Sequence, residues 1–344
     1  MGQNAVGDGI TLNNAFAEVM RAKWPPDRPY LAAISGGRDS MALLHFLHGA
    51  GYRDLVVCQI DHGLRGEIST AEGEFVREMA ERLGYTVELR RVEVTAFARS
   101  EKLSLETAAR ELRYRAFAEV AAKHDCRRVF LAHHADDRVE TVLINLFRGT
   151  GARGLAGMEP ETSRVVAGVE LELIRPFLGI TREEIVRHVA AEGIDYREDE
   201  SNASDFALRN RVRNRLLPLL GEIFERDVRP AVLRAADLAA LEDTWAAEAT
   251  GPMPWKGPNG GLDVATLRGM PGAQRQRLLL KWLRERGVPD CGHDEVARVL
   301  TVLMTSARPA RASLPGGHAV RRREGVLFME GPRAEGPRAE GPQA

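Results

Sequence analysis

Over its first two hundred residues the chain alternates short β-type runs with segments of helical pattern, and few folds accommodate that rhythm. The β-type runs are YLAAIS (30–35), DLVVCQID (54–61), TVELRRVEV (86–94), RRVFLAH (127–133) and LELIRP (171–176). Helical patterns occupy 39–49, 70–84, 104–124, 137–147 and 181–193. Helices of that length between strands predict βαβ units on a parallel sheet, an α/β fold. Thr181 and Glu184 stand at capping-box spacing and Gly193 follows the last turn, so the 181–193 helix is marked at both ends.

After Pro218 the texture changes. Residues 219–250 read as a helical, Ala-rich linker, and GPMPWKGPNGG (251–261) then breaks the pattern with three prolines and four glycines. Residues 262–304 read as helices and 314–330 as a hairpin, together a small α+β C-terminal domain. The last fifteen residues, EGPRA twice and EGPQA once, are a disordered tail by composition.

Composition limits the partners. With 48 Lys+Arg against 49 Asp+Glu the formal charge is −1, so a nucleic acid would be met by local patches and not by the overall field. Three cysteines (Cys58, Cys126, Cys291) without CxxC spacing exclude a disulfide framework, a zinc finger and a cysteine-ligated iron–sulfur cluster. The opening MGQNAVGDGITLNN lacks a basic and an apolar region, and Val6 breaks the myristoylation pattern. No apolar stretch approaches the roughly 20 residues a bilayer requires. No membrane partner is expected, and the location is cytoplasmic by elimination.

Five stretches carry candidate chemistry. SGGRDS (35–40) lies between an apolar strand and a helix; Gly36 and Gly37 let the backbone approach an anion, which the first helix amides then face. Ser35 and Ser40 add hydroxyls, and no Walker lysine follows. A plain glycine turn with Ser or Asp capping the helix is the competing reading. Asp61 and His62 end a strand at the sheet edge where α/β folds bind ligands, and Asp61 serves equally as a ribose or metal ligand or as a loop cap. HHADDRVET (133–141) gathers two imidazoles with Asp136, Asp137 and Glu140, suited to Mg²⁺ or an ammonium group; Asp137 and Glu140 also have N-cap box spacing. RGTGARGLAGM (148–158) offers Arg148 and Arg153 on a glycine-rich loop, either a wrap for RNA backbone or a mobile connection. RNRVRNRLLPLL (209–220) and the basic stretch 305–323 are phosphate contacts or solvated charge.

Together the motifs resemble a known family. SGGRDS is similar to the SGGxDS signature of the N-type ATP pyrophosphatases, the PP-loop (adenine nucleotide alpha hydrolase-like) fold. Within that fold, IDHGLR, ETAARELRYRAF, HHADDRVET, FRGTGARGLAGM, LIRPFLGITREEI and DESNASDFALRNRVRNRLLPLL resemble the bacterial tRNA(Ile)-lysidine synthase family, almost continuously from about 30 to 220 and more weakly through 262–329. The resemblance implies an N-terminal extension (1–29), a PP-loop catalytic domain (30–217), a helical linker (218–250), a small substrate-binding domain (251–329) and the tail (330–344). It implies an AMP-forming ligase that joins free L-lysine to C2 of the wobble cytidine of CAU-anticodon tRNA(Ile), through an adenylated cytidine, with ATP and Mg²⁺.

On that basis Ser35, Gly36, Gly37, Arg38, Asp39, Ser40, Asp61, His62 and His133 are expected at ATP, and Asp39 and Asp136 as Mg²⁺ ligands. Asp39, Asp136, Asp137, Glu140 and Arg113 are the catalytic set, with Asp137 and Glu140 receiving the lysine ammonium and Arg113 a carboxylate or the activated cytidine. Arg148, Arg153, Arg209, Arg211 and Arg213 are expected on tRNA backbone, and relatives imply a homodimer. Arg138 departs from the glutamine common in the family, and the further C-terminal domain of long members is not expected here. A tRNA thiolase of the same fold would need paired cysteines, a kinase would yield ADP, and a non-catalytic binding protein would not need four carboxylates beside phosphate.

Overall fold

The computed structural model describes residues 12–63, 67–198, 207–257, 260–304 and 310–331. The DESNASDF stretch (199–206), the last two residues of IDHGLR (64–65), Arg308 and the repeats from 332 onward lie outside them. The chain divides into two compact units, Met1–Ala240 and Leu241–Ala344.

In the first unit the order is α1 (Asn14–Lys23), β1 (Tyr30–Ala33), α2 (Arg38–Gly49), β2 (Leu55–Asp61), α3 (Glu67–Arg82), β3 (Thr86–Arg91), α4 (Val94–Glu101), α5 (Leu105–Lys123) and β4 (Arg128–Phe130). It continues with α6 (Ala135–Phe147), α7 (Ala152–Leu155), β5 (Glu161–Val166), β6 (Val169–Ile174), α8 (Arg182–Glu192), α9 (Leu208–Arg211), a π-helical turn (Val212–Leu216), α10 (Leu217–Ile223) and α11 (Arg229–Ala249), which runs across the unit boundary. The sheet order is β3-β2-β1-β4-β6-β5, parallel except for the edge strand β5.

Both faces of the sheet are covered, and the strands divide their side chains by the two-residue period. Tyr30 and Ala32 of β1, with Leu55 and Val57 of β2, enter a core shared with α1, α2, α3 and α8. Leu31, Val56 and Cys58 point the other way, into a core built mainly on α5. Tyr30 stacks on Phe130 with ring centroids 4.7 Å apart. Chain order reverses between β1 and β4, and that switch point is where a doubly wound sheet opens a crevice at its carboxyl ends.

Three elements differ from the sequence reading. The expected N-terminal extension contains α1, whose Phe16, Ala17 and Met20 are buried in the first core. Helix α4 is a separate eight-residue element, ended by Lys102 in the left-handed region. Strand β5 pairs antiparallel with β6 across a turn at Ala167 and Gly168, both at positive φ. Residues 218–240 go with the first unit and do not form a free linker. The π turn precedes Pro218, whose ring cannot accept the regular helical spacing behind it.

The second unit carries β7 (Trp255–Lys256), β8 (Gly261–Asp263), α12 (Val264–Gly269), α13 (Gly272–Glu285), α14 (His293–Met304), β9 (Arg311–Ser313), β10 (Ala319–Arg323) and β11 (Val326–Glu330). Its antiparallel sheet runs β7-β8-β11-β10-β9, so the expected hairpin, β10–β11, is flanked on both sides within a five-stranded sheet. Trp282 is fully buried in its core and donates its indole N–H to the Gly260 carbonyl at 3.1 Å.

Candidate active site

A cleft of about 880 Å³ lies at the carboxyl ends of β1, β2 and β4. Its first wall is the loop 35–40. Gly36 sits at φ +89°, and a Cβ there would stand 3.2 Å from Val76 Cγ2, so glycine serves both the turn and the close approach. The Ser40 hydroxyl donates to the Gly37 carbonyl (2.8 Å) and lies 3.2 Å from the Ser35 hydroxyl, which accepts from the Gly37 amide (3.3 Å). These bonds set the loop. Helix α2 has Gly37 at its N-cap and no side-chain cap, so the capping alternative is not what this turn does. The first-turn amides are left for a ligand.

The opposite wall is the start of α6. His134 is buried at its N-cap, and its amide donates to Asp137 Oδ2 at 3.0 Å. The box is thus His134 with Asp137 at its third position, not Asp137 with Glu140 as their spacing suggested, and it uses one oxygen of Asp137. His134 Nε2 lies 3.6 Å from both Asp39 and Asp137, and Nδ1 lies 3.6 Å from Asp136. Burial opposes its protonation, yet the three carboxylates raise its pKa to about 10, so a cation stands between them at neutral pH. Asp39 is a third exposed in the cleft, with Arg38 Nε 3.2 Å from Oδ1. Burial pushes its pKa up, but His134 and Arg38 hold it below the ordinary value.

Asp136 does not border this cleft. Its Oδ2 accepts from the Arg182 amide at the start of α8 (2.9 Å) and its Oδ1 from Arg229 Nη1 (2.7 Å). Arg229 also bonds Glu183 (2.8 Å) and Asp227 (3.0 Å), tying α6, α8 and α11 together. Glu140 is fully buried and likewise absent from the cleft wall; its two oxygens accept from Arg209 Nε (2.6 Å) and Arg213 Nε (2.5 Å). Arg209 Nη2 donates further to the Asp137 carbonyl (2.9 Å) and Oδ1 (3.1 Å), and Arg213 Nη2 to Asp137 Oδ1 (3.3 Å). Both guanidiniums, expected on tRNA backbone, are thus enclosed with the acids expected to take an ammonium.

Arg113, His62 and His133 form part of the cleft lining. Nδ1 of each histidine is buried without a partner among the described residues. Burial lowers the pKa of both, that of His133 to about 3, so they are neutral. Asp61 accepts from the Gly63 amide (2.8 Å), the loop-capping alternative, and is not among the residues of the cleft. Arg148, Arg153 and Arg211 are exposed, Arg148 at the end of α6 and Arg153 in α7, where Asn145 of α6 donates to the Gly154 carbonyl at 2.9 Å. The Arg138 charge is met by Asp237 at 2.6 Å. Tyr196, Arg197, Glu198, Asn210 and Asn214 also border the cleft and were missed, since nothing local marks them.

Comparison with known proteins decides what this cleft belongs to. A family model described as a PP-loop domain matches residues 10–220, and one described as TilS substrate binding domain matches 262–328. A tRNA(Ile)-lysidine synthase of Chlorobaculum tepidum is 34% identical over 298 residues, 84% of this chain and 86% of that protein. The chain belongs to the tRNA(Ile)-lysidine synthase family. The Thermus thermophilus synthase is 37% identical across 93% of this chain and 60% of its own length. The chain spans less than half the length of the synthases of Bacillus subtilis (40%) and Geobacter sulfurreducens (46%), at 43% and 41% identity. A solved U34-tRNA thiolase of Methanococcus maripaludis superposes with a TM-score of 0.52 at 15% identity, over 67% of this chain and 80% of that one, and shares the fold. No described helix of this family member is long and apolar enough to cross a membrane.

Proposed function

We propose that the chain ligates free L-lysine to C2 of the wobble cytidine of CAU-anticodon tRNA(Ile). The cytosine O2 bonds to the α-phosphorus of ATP and pyrophosphate leaves; the lysine side-chain amine then bonds to C2 as the C–O bond to AMP breaks. The observation that carries this reading is one cleft in which an uncapped glycine turn and helix start face the Asp137 carboxylate, in a chain of this family.

The 36–40 amides and the α2 dipole receive the triphosphate. Arg38 and Asp39 stand at the same turn. Mg²⁺ prefers one or two carboxylates together with substrate phosphate oxygens, and Asp39 fits that donor set. Asp136 does not, since it lies away from the cleft wall with its oxygens on Arg182 and Arg229. When bound, Mg²⁺ would offset charge on the departing pyrophosphate. Asp137 is the acid on the cleft wall, where its carboxylate, already shared by the His134 amide, Arg209 and Arg213, would also meet the lysine ammonium; Glu140 stands behind it. Burial pushes the Asp137 pKa up, but His134 and Arg209 hold it below the usual range, which suits a counter-ion better than a base. The proton lost from the ammonium therefore passes to water. Arg113, half-buried and bordering the cleft, suits the lysine carboxylate, and the exposed Arg148, Arg153 and Arg211 suit tRNA phosphates. A location in the cytoplasm and a dimer belong to the same proposal.

The test is Asp137→Asn. Product formation is expected to stop while tRNA affinity stays within about twofold; a collapse of tRNA binding would assign Asp137 to the helix cap alone.

A further inference from the structure

Resting on the reading that nucleotide phosphates sit at the 35–40 loop, we propose that Arg209 and Arg213 are a phosphate clamp inside the cleft. Glu140 acts as their positioning residue. The clamp takes the polyphosphate of the bound nucleotide and then the pyrophosphate released from it, and does not contact the tRNA backbone.

The two arginines are four apart across the π turn, and both border the same cleft as Ser35, Gly37 and Ser40. Residues three or four apart share a helix face, so Arg211 stands elsewhere, exposed. Each guanidinium has five N–H donors in a planar fork. Arg209 uses Nε and Nη2 on Glu140 and Asp137, and so does Arg213. Among the described residues Nη1 of neither has a partner. The pair is therefore aimed and neutralised on one edge and open on the other.

A backbone-binding arginine gains nothing from a fully buried acid underneath it, which weakens its field toward outside phosphates. A clamp does gain. Two unscreened guanidiniums side by side would repel, and Glu140 with one oxygen on each Nε removes the repulsion and fixes both rotamers. Glu140 itself has no exposed surface, so its acidity is directed inward to these arginines. Around the cleft, six arginines face three carboxylates, an excess that matches a polyphosphate.

Inorganic pyrophosphate is the probe, titrated by calorimetry into the full chain without tRNA or lysine. Because a charge-assisted hydrogen bond contributes a factor of roughly ten or more, Arg209→Gln and Arg213→Gln should each weaken pyrophosphate at least about tenfold. Their affinity for tRNA, and its salt dependence, should stay within twofold. Arg211→Gln should do the reverse, lowering the salt slope of tRNA binding by about one. Arg213→Lys keeps the charge without the fork and carries the test if the glutamine variant does not fold; it too should lose most of the pyrophosphate affinity. Glu140→Gln should weaken pyrophosphate without bordering the cleft, with Glu140→Asp restoring part of it. Unchanged pyrophosphate binding in Arg209→Gln and Arg213→Gln, or a loss confined to tRNA, overturns the clamp. If the clamp variants lose pyrophosphate while no lysine-bearing anticodon forms with the unmodified chain, the clamp stands and the ligase reading falls.

Discussion

Replacing Glu140 with glutamine asks the most of the structure. The carboxylate is wholly buried and accepts from Arg209 at 2.6 Å and Arg213 at 2.5 Å. A glutamine at this place keeps one acceptor, but its NH₂ group meets an N–H of a guanidinium, donor against donor. Removing one side of a buried ion pair costs about 3–5 kcal/mol. Here the arginines are 33% and 21% exposed, so water can recover part of their solvation. A loss of about 3 kcal/mol is therefore expected, equivalent to roughly a hundredfold in the local opening equilibrium of α6. Because the chain has two compact units, a single unfolding midpoint would mix their signals. Hydrogen exchange read peptide by peptide isolates 135–147. The amides there should exchange about a hundredfold faster in Glu140→Gln, with the second unit unchanged. An acceleration below about threefold would refute the buried network as a source of stability.

Three other outcomes follow from the same geometry. Gly36→Ala forces a side chain into φ +89° against Val76, so the Km for ATP should rise at least about tenfold and the unit should lose about 1–2 kcal/mol; an unchanged Km contradicts the role of the turn. His45 and His188 are half-buried where α2 meets α8, each with a buried Nε2 that has no partner among the described residues, and desolvation lowers both pKa values. Their folded pKa lies below the unfolded value of about 6.5, so stability is full above that pH and declines as pH falls through it. Unfolding at pH 7.5 and 5 should show the decline, and His188→Phe should reduce it; equal stability at both pH values contradicts it. Burial pushes the Cys58 thiol to about 12 and Cys126 to about 11, so alkylation of the native chain at pH 8 should leave lysine-dependent turnover intact, whereas loss of turnover would favour sulfur chemistry.

What was legible in the sequence had a local cause. Apolar runs such as LVVCQI are read from composition, and Thr181 with Glu184 forms the capping box their spacing announces. SGGRDS could be placed because glycine at a strand-to-helix turn has a backbone reason. Strand β5 was not legible, because ETSRVV is a half-exposed edge with little apolar pattern. Helix α1 was passed over because short apolar spacing near the start looks like an extension until its partners are known. The site was legible in membership but not in pairing. Arg209 and Glu140 are 69 residues apart, so a run of arginines reads as surface charge until folding closes it on an acid. Asp136 and Asp137 are neighbours in sequence, yet only Asp137 borders the cleft.

The most direct measurement is mass spectrometry of CAU-anticodon tRNA(Ile) after incubation with ATP, isotope-labelled lysine and the full chain. The expected result is one labelled lysine on the wobble cytidine for each AMP and each pyrophosphate formed. ADP as the product, or nucleotide turnover indifferent to lysine with an unmodified anticodon, would contradict the ligase.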